Sequence, residues 1–169
     1  MFNICASGET LIPNGVIEYT KAILEQGHYV MIVTNGMLTK RLEEIAQFPE
    51  DYRKRLFFKI SYHYLELKRL NKFDLFFSNI ELIKKMKASF TVEVTPSDEL
   101  IPYIDEMKDI TLKHLGALPH ITVARDESKP DYPLLTKLSK EDYIKTWGQF
   151  DSMMFNFKIS VFGQKRKEY

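Results

Sequence analysis

Cysteine is nearly absent from this chain of 169 residues, where Cys5 stands alone. A lone thiol closes no internal disulfide, so a reducing, cytoplasmic setting is expected rather than secretion. It also cannot build a zinc ribbon or ligate an iron–sulfur cluster unaided. Long apolar runs are missing too. No stretch approaches the roughly 20 apolar residues that span a bilayer, and the opening Met-Phe-Asn-Ile-Cys-Ala has no basic region of the kind that starts a signal peptide. Charge of one sign is lacking, with 24 Lys and Arg against 23 Asp and Glu and a net charge of +1. That balance gives no electrostatic footprint for nucleic acid or an anionic membrane, and no membrane association is expected. Glycine is scarce, at seven residues, and its placement excludes more. No Gly-x-Gly-x-x-Gly follows a strand, no phosphate-loop lysine follows a glycine run, and no Gly-x-Ser-x-Gly elbow occurs. These absences weaken dinucleotide-binding, nucleotide-hydrolysing and α/β-hydrolase readings.

What is present is aromatic and periodic. Twelve Phe and nine Tyr suit core and strand positions. Phe2 to Ala6 reads as a short buried strand, with Cys5 as a small apolar residue inside it. Asn14 is placed to cap a helix that shares Val16, Ile17, Thr20, Ile23 and Leu24 on one face and stops at Gly27. Tyr29 to Val33 is a β-branched run of the kind found in parallel strands covered on both faces. Thr39 to Gln47 is a modest helix. Leu56 to Ser61 reads as a third strand, and Ser78-Asn79-Ile80-Glu81 as a capping box opening the next helix. Phe90 to Val94 is a fourth strand. A helix with Pro102 in its first turn runs from Ser97 to Gly116, and His120 to Ala124 is a fifth strand. Strands alternating with helical segments predict an α/β fold of parallel βα units. An open doubly wound sheet and part of a (β/α) barrel both satisfy this pattern.

Residues 1–126 therefore form the expected βα domain, and 127–169 an extension. In the extension, Glu127 to Pro133 is a loop and Ser139 opens a helix carrying Tyr143, Ile144, Trp147 and Phe150. Phe155, Phe157, Ile159 and Val161 alternate with polar residues, predicting a half-buried strand. Gln164 to Tyr169 reads as a solvated charged tail. The abrupt first and last strands are expected of a piece of a longer protein, whose exposed barrel edge would favour self-association.

Ligands in α/β folds collect at the C-terminal ends of parallel strands, where helix N-termini present free N–H groups. The first strand places Ser7, Gly8 and Glu9 there. Gly8 permits close backbone approach, and Glu9 offers a carboxylate to an ammonium group. The second strand places Thr34, Asn35 and Gly36 at this edge, and the third Ser61 and His63. The fourth contributes Glu93 and Thr95, and the fifth Arg125 and Asp126. Each has a plainer reading: Asn35-Gly36 as a common turn, Glu9 as a solvated loop acid, Arg125 beside Asp126 as a surface ion pair. Tyr62, His63, Tyr64 and Trp147 are suited either to lining the mouth of a site or to packing. No metal-ligand spacing occurs among the histidines.

Taken together, Ser7-Gly8-Glu9-Thr10-Leu11, then Thr34-Asn35-Gly36 after Tyr29-Val30-Met31-Ile32-Val33, then Ser61-Tyr62-His63 resemble the radical S-adenosylmethionine enzyme family, from about Phe2 to about Arg125. The resemblance implies strands two to six of a partial (β/α)6 barrel. It implies that Ser7, Gly8 and Glu9 hold the cofactor's amino group, with Thr34 and Asn35 alongside. Ser61 would lie near the ribose and methionyl carboxylate, and Arg125 would be a carboxylate or substrate contact, with His63 and Glu93 as weaker substrate contacts. The cofactor implied is S-adenosylmethionine, beside a substrate the sequence does not identify. The parent enzyme would cleave S-adenosylmethionine reductively through a 4Fe–4S cluster to form a 5′-deoxyadenosyl radical. The family's three-cysteine cluster motif is not in these residues, so the cluster is expected only in a longer parent chain, and this chain alone is expected to be inactive. Ser7 also stands where the family has glycine, and Thr10 where it has proline. The alternative is a non-catalytic α/β module that binds a small ligand or a protein partner.

Overall fold

A computed structural model describes residues 1–161; the tail Gln164 to Tyr169 lies outside them. The chain is α/β, with five strands in the order β1-β2-β3-β4-β5. Two compact units divide it, one from Met1 to Val92 and the other beginning at Glu93. The boundary falls inside β4 (Ser89–Val94).

The first unit carries β1 (Phe2–Ile4), α1 (Val16–Glu25), β2 (Val30–Thr34), α2 (Thr39–Ala46), α3 (Glu50–Arg53) and β3 (Leu56–Ser61), then α4 (Tyr64–Leu70) and α5 (Phe73–Lys85). β1 pairs in parallel with β2, and β2 in parallel with β3. The β2–β3 register sets Val30 level with Leu56, Ile32 with Phe58 and Thr34 with Ile60, and all six are buried. One-in-two alternation explains why they share a face. Met31, Val33, Phe57 and Lys59 alternate with them and are only partly buried. The β-branched run in β2 is thus covered fully on one face only, and its other face is open enough to hold a cleft.

Several local expectations are corrected here. Cys5 lies beyond the end of β1 and is exposed, because β1 stops at Ile4. Asn14 does not cap α1; its Oδ1 accepts from Arg41 Nη2 at 3.0 Å, and Gly15 occupies the cap position. Ser78 sits in the middle of α5, not at its start. The stripe Phe73, Phe76, Phe77, Ile80 and Ile83 runs through it at helical spacing. Burial of Phe76, Phe77, Ile80 and Ile83 outweighs the local capping pattern. The Ser78 hydroxyl instead donates back to Leu75 O. A further helix, α4, precedes α5 and ends at Asn71 in the left-handed region. Tyr64 in α4 packs against Phe73 with ring centroids 5.6 Å apart.

In the second unit the end of β4 pairs in parallel with β5 (His120–Ile121), shorter than the sequence pattern suggested. A 3-10 helix (Asp98–Tyr103) contains Pro102 and leads into α6 (Ile104–Leu115), which Gly116 closes at φ 71°. Ser139 caps α7 (Lys140–Gly148), its hydroxyl accepting from Asp142 N. The expected strand over Phe155–Val161 is instead α8 (Met153–Ser160). Ser152 Oγ accepts from Phe155 N at 3.4 Å, the geometry of a helix N-cap. It also accepts from Ile121 N at 3.0 Å, fixing where the helix starts. Phe155 is buried beside Tyr143, whereas Phe157 is 68% exposed, so the alternation never has to match a sheet face.

Asp98 ties the start of the 3-10 helix to the loop before α7. Its carboxylate accepts from Thr136 Oγ1 at 2.5 Å and from Lys137 N at 2.7 Å. The Thr136 hydroxyl, and then the Lys137 N–H, hold the Asp98 carboxyl below its ordinary range. A carboxylate favoured in the folded state stabilises the fold above its unfolded value, near pH 4, and that contribution fades as pH falls through the folded value. The urea midpoint is therefore expected to drop as the pH falls below about 4, and Asp98→Asn should flatten part of that drop. An identical acid limb in both proteins would remove Asp98 from the account.

Candidate functional site

The C-terminal ends of β1, β2 and β3 enclose a cleft of about 280 Å3 lined by Gly8, Glu9, Val33, Thr34, Asn35, Ser61 and His63. Strand alternation explains the lining. Val33 and Ser61 lie on the less-buried face, and Thr34 is level with Ile60, so Asn35 comes level with Ser61.

Glu9 organises the cleft. Its Oε1 accepts from Leu11 N at 3.1 Å and from Thr34 Oγ1 at 2.7 Å, while Oε2 accepts from Asn35 N at 2.7 Å. The carboxylate thus staples the turn after β1 to the turn after β2. Two oxygens offer about four acceptor positions, so three donors leave one on Oε2. No lysine or arginine among the described residues forms an ion pair with Glu9. The acid is partly buried, fixed by neutral donors, and carries an uncompensated negative charge into the cleft.

The turn after β2 is fixed from both sides. Thr34 Oγ1 accepts from Gly36 N at 3.1 Å, and Asn35 Oδ1 accepts from Met37 N at 2.9 Å. Gly36 adopts φ 72°, where a side chain is strained. A Cβ there would also meet Ile60 Cγ2 at 3.1 Å. By contrast, a Cβ on Gly8 would meet nothing within 4 Å, so the space over Gly8 belongs to the cleft.

Of the residues singled out in the sequence, Gly8, Glu9, Thr34, Asn35, Ser61 and His63 therefore come together. Ser7 is exposed and does not line the cleft. Arg125 and Glu93 belong to the second unit. There Arg125 is exposed and bridges Leu134 in antiparallel fashion, and Glu93 is buried in register with His120. Tyr62, Tyr64 and Trp147 are packing residues, each at most 3% exposed. Tyr62 lies against Phe76 with ring centroids at 5.3 Å.

Two residues have supporting roles that went unread in the sequence. Arg41, on α2, donates to Leu11 O, Ile12 O, Pro13 O and Asn14 Oδ1 and pairs with Glu44, pinning the loop that follows Glu9. No sequence signal marks it. Asn79 is buried on the apolar side of α5. Its position three residues after Phe76 and four before Ile83, in the middle of an apolar stripe, was a legible signal. Compared with known protein families, curated proteins and solved structures, the chain shows no match.

Proposed function

We propose that this cleft binds the amino-acid end of S-adenosylmethionine, in a partial (β/α) barrel of the radical S-adenosylmethionine type. The observation that carries the reading is the Glu9 carboxylate, held by Leu11 N, Thr34 Oγ1 and Asn35 N and facing the cleft without an ion-pair partner among the described residues. Such a group is prepared for a ligand ammonium, which would take the remaining Oε2 position. A charged hydrogen bond of this type contributes about 1.5–3 kcal/mol, tenfold or more in affinity. Ser61 and Asn35 offer polar contacts to the ligand carboxylate, and the open side of Gly8 lets the ligand approach the backbone. The volume, about 280 Å3, falls just below the roughly 300–1,000 Å3 of pockets that enclose a drug-sized molecule.

The strand order supports the barrel. It follows the chain without the reversal that creates the switch point of a doubly wound sheet. The half-covered face of β2 and β3 is then the inner face of the barrel, and β1, with Phe2 48% exposed, is an edge open to a second copy.

The donors for a 4Fe–4S cluster do not fit. The chain has one thiol where three are needed, and no step through a cluster is derived for it. That shortage favours, as a second reading, a binding module that holds an amine ligand without chemistry. The reading frame upstream of Met1 separates them. A strand followed by three closely spaced cysteines supports the enzyme; an in-frame stop supports the module.

Titration calorimetry tests the site. S-adenosylmethionine is expected to bind the wild type, and Glu9→Ala to weaken it at least tenfold. 5′-Methylthioadenosine, which lacks the amino-acid end, should bind far more weakly than S-adenosylmethionine. Equal affinity of the wild type and Glu9→Ala would take Glu9 out of the site.

A further inference from the structure

We infer that Asn79 is a positioning residue for this cleft, holding the turn after β2 in the one conformation that presents Asn35 N–H to Glu9. Asn79 lies on α5, 43 residues along the chain from Gly36, and is 1% exposed. A buried amide in an apolar helix face is costly unless both of its ends are paired. Both are: Nδ2 donates to Gly36 O at 2.8 Å, and Oδ1 accepts from Thr39 Oγ1 at 2.9 Å.

These two bonds grip the turn at points that Glu9 does not reach. Glu9 holds the turn by the Asn35 N–H and the Thr34 hydroxyl. Asn79 holds it by the carbonyl of Gly36, and through Thr39 it also engages the first residue of α2. Gly36 sits at φ 72° with its own N–H on Thr34 Oγ1. Rotating the Gly36 peptide would break the Asn79 bond and swing the backbone that carries Asn35. Leucine at position 79 would fill similar space and suit the stripe of Phe76, Ile80 and Ile83, yet it would leave the buried Gly36 carbonyl without this donor. The side chain is therefore explained by the turn it holds, and packing alone gives no reason for an amide.

The inference rests on the cleft's being a ligand site, but its first readout does not need the ligand. Amide hydrogen exchange of Asn35 and Gly36 in the unliganded full chain is compared among wild type, Asn79→Leu and Ile83→Ala, a core change one turn on in the same helix that removes no polar group. With each protein referred to its own urea stability, Asn79→Leu is expected to speed exchange at Asn35 and Gly36 at least tenfold relative to Ile83→Ala. Exchange that tracks Ile83→Ala would overturn the inference. Should Asn79→Leu not fold, Thr39→Val, which removes only the hydroxyl on Oδ1, is expected to give a smaller rise of about threefold at the same amides; no rise would overturn it equally. The second readout is the affinity for S-adenosylmethionine, expected to fall at least tenfold in Asn79→Leu and to hold in Ile83→Ala. A wild type that binds no S-adenosylmethionine would sink the proposed ligand alone, leaving the exchange result to decide the role of Asn79.

Discussion

Replacing Trp147 by alanine is expected to lower stability by about 3–5 kcal/mol, the range for losing a large aromatic from a packed core. Trp147 is fully buried on α7, one turn after the buried Tyr143. It stacks on Phe150 with ring centroids 6.2 Å apart and planes 20° from parallel. The cavity left by alanine would lie among rigid neighbours, since Tyr143 is itself fixed by Phe155 and by the Ala124 N–H that its hydroxyl accepts. Trp147→Phe should cost far less, about 1–2 kcal/mol. The indole N–H has no hydrogen-bond partner among the described residues, so phenylalanine forfeits volume but no polar bond. Urea denaturation followed by circular dichroism reads both. A loss under about 1 kcal/mol for alanine would put Trp147 outside the core and return it to the mouth of a site.

Gly36→Ala is the second large effect, at about 2–4 kcal/mol. A left-handed conformation costs a non-glycine residue about 1–2 kcal/mol. The added Cβ would press on Ile60 Cγ2 at 3.1 Å, while the Phe76 ring at 3.5 Å stays at ordinary contact distance, and overpacking of this kind adds about 1–3 kcal/mol. Ile60 has little room to retreat, because it is wholly buried. Gly8→Ala is the control. No atom lies within 4 Å of its Cβ, so its stability should stay within about 0.5 kcal/mol. If the two alanines cost the same, the strain assigned to Gly36 is absent.

These two glycines bracket what the sequence makes legible about the cleft. Ser7-Gly8-Glu9 and Thr34-Asn35-Gly36 stand out because a strand's end is marked by its own residues, and parallel strands bring their ends to one edge. Gly8, Glu9, Thr34, Asn35, Ser61 and His63 were all reachable by that rule. What Glu9 does in the protein was not. Read locally, it was a carboxylate available to a ligand; in the fold, three of its acceptor positions already serve Leu11, Thr34 and Asn35. That partnership spans 25 and 26 residues to Thr34 and Asn35, and no local pattern encodes it.

The same division runs through the fold. Strands β2 and β3, helices α1, α2 and α7, and the glycine stop of α6 follow from periodicity and end signals over a few residues, so the sequence by itself determined them. Ser78-Asn79-Ile80-Glu81 and Phe155 to Val161 misled because each pattern is locally valid in two ways. A capping box within an apolar stripe is overruled when the stripe continues upstream. An alternating run becomes a helix when Ser152 caps it and only Phe155 is called into the core. Tertiary structure alone decided those cases, along with the grip of Asn79 on Gly36 and of Arg41 on the Leu11–Asn14 loop. The physical reason is that periodicity reports which face of a segment is apolar. The partner that satisfies a buried polar group is fixed only when distant segments meet.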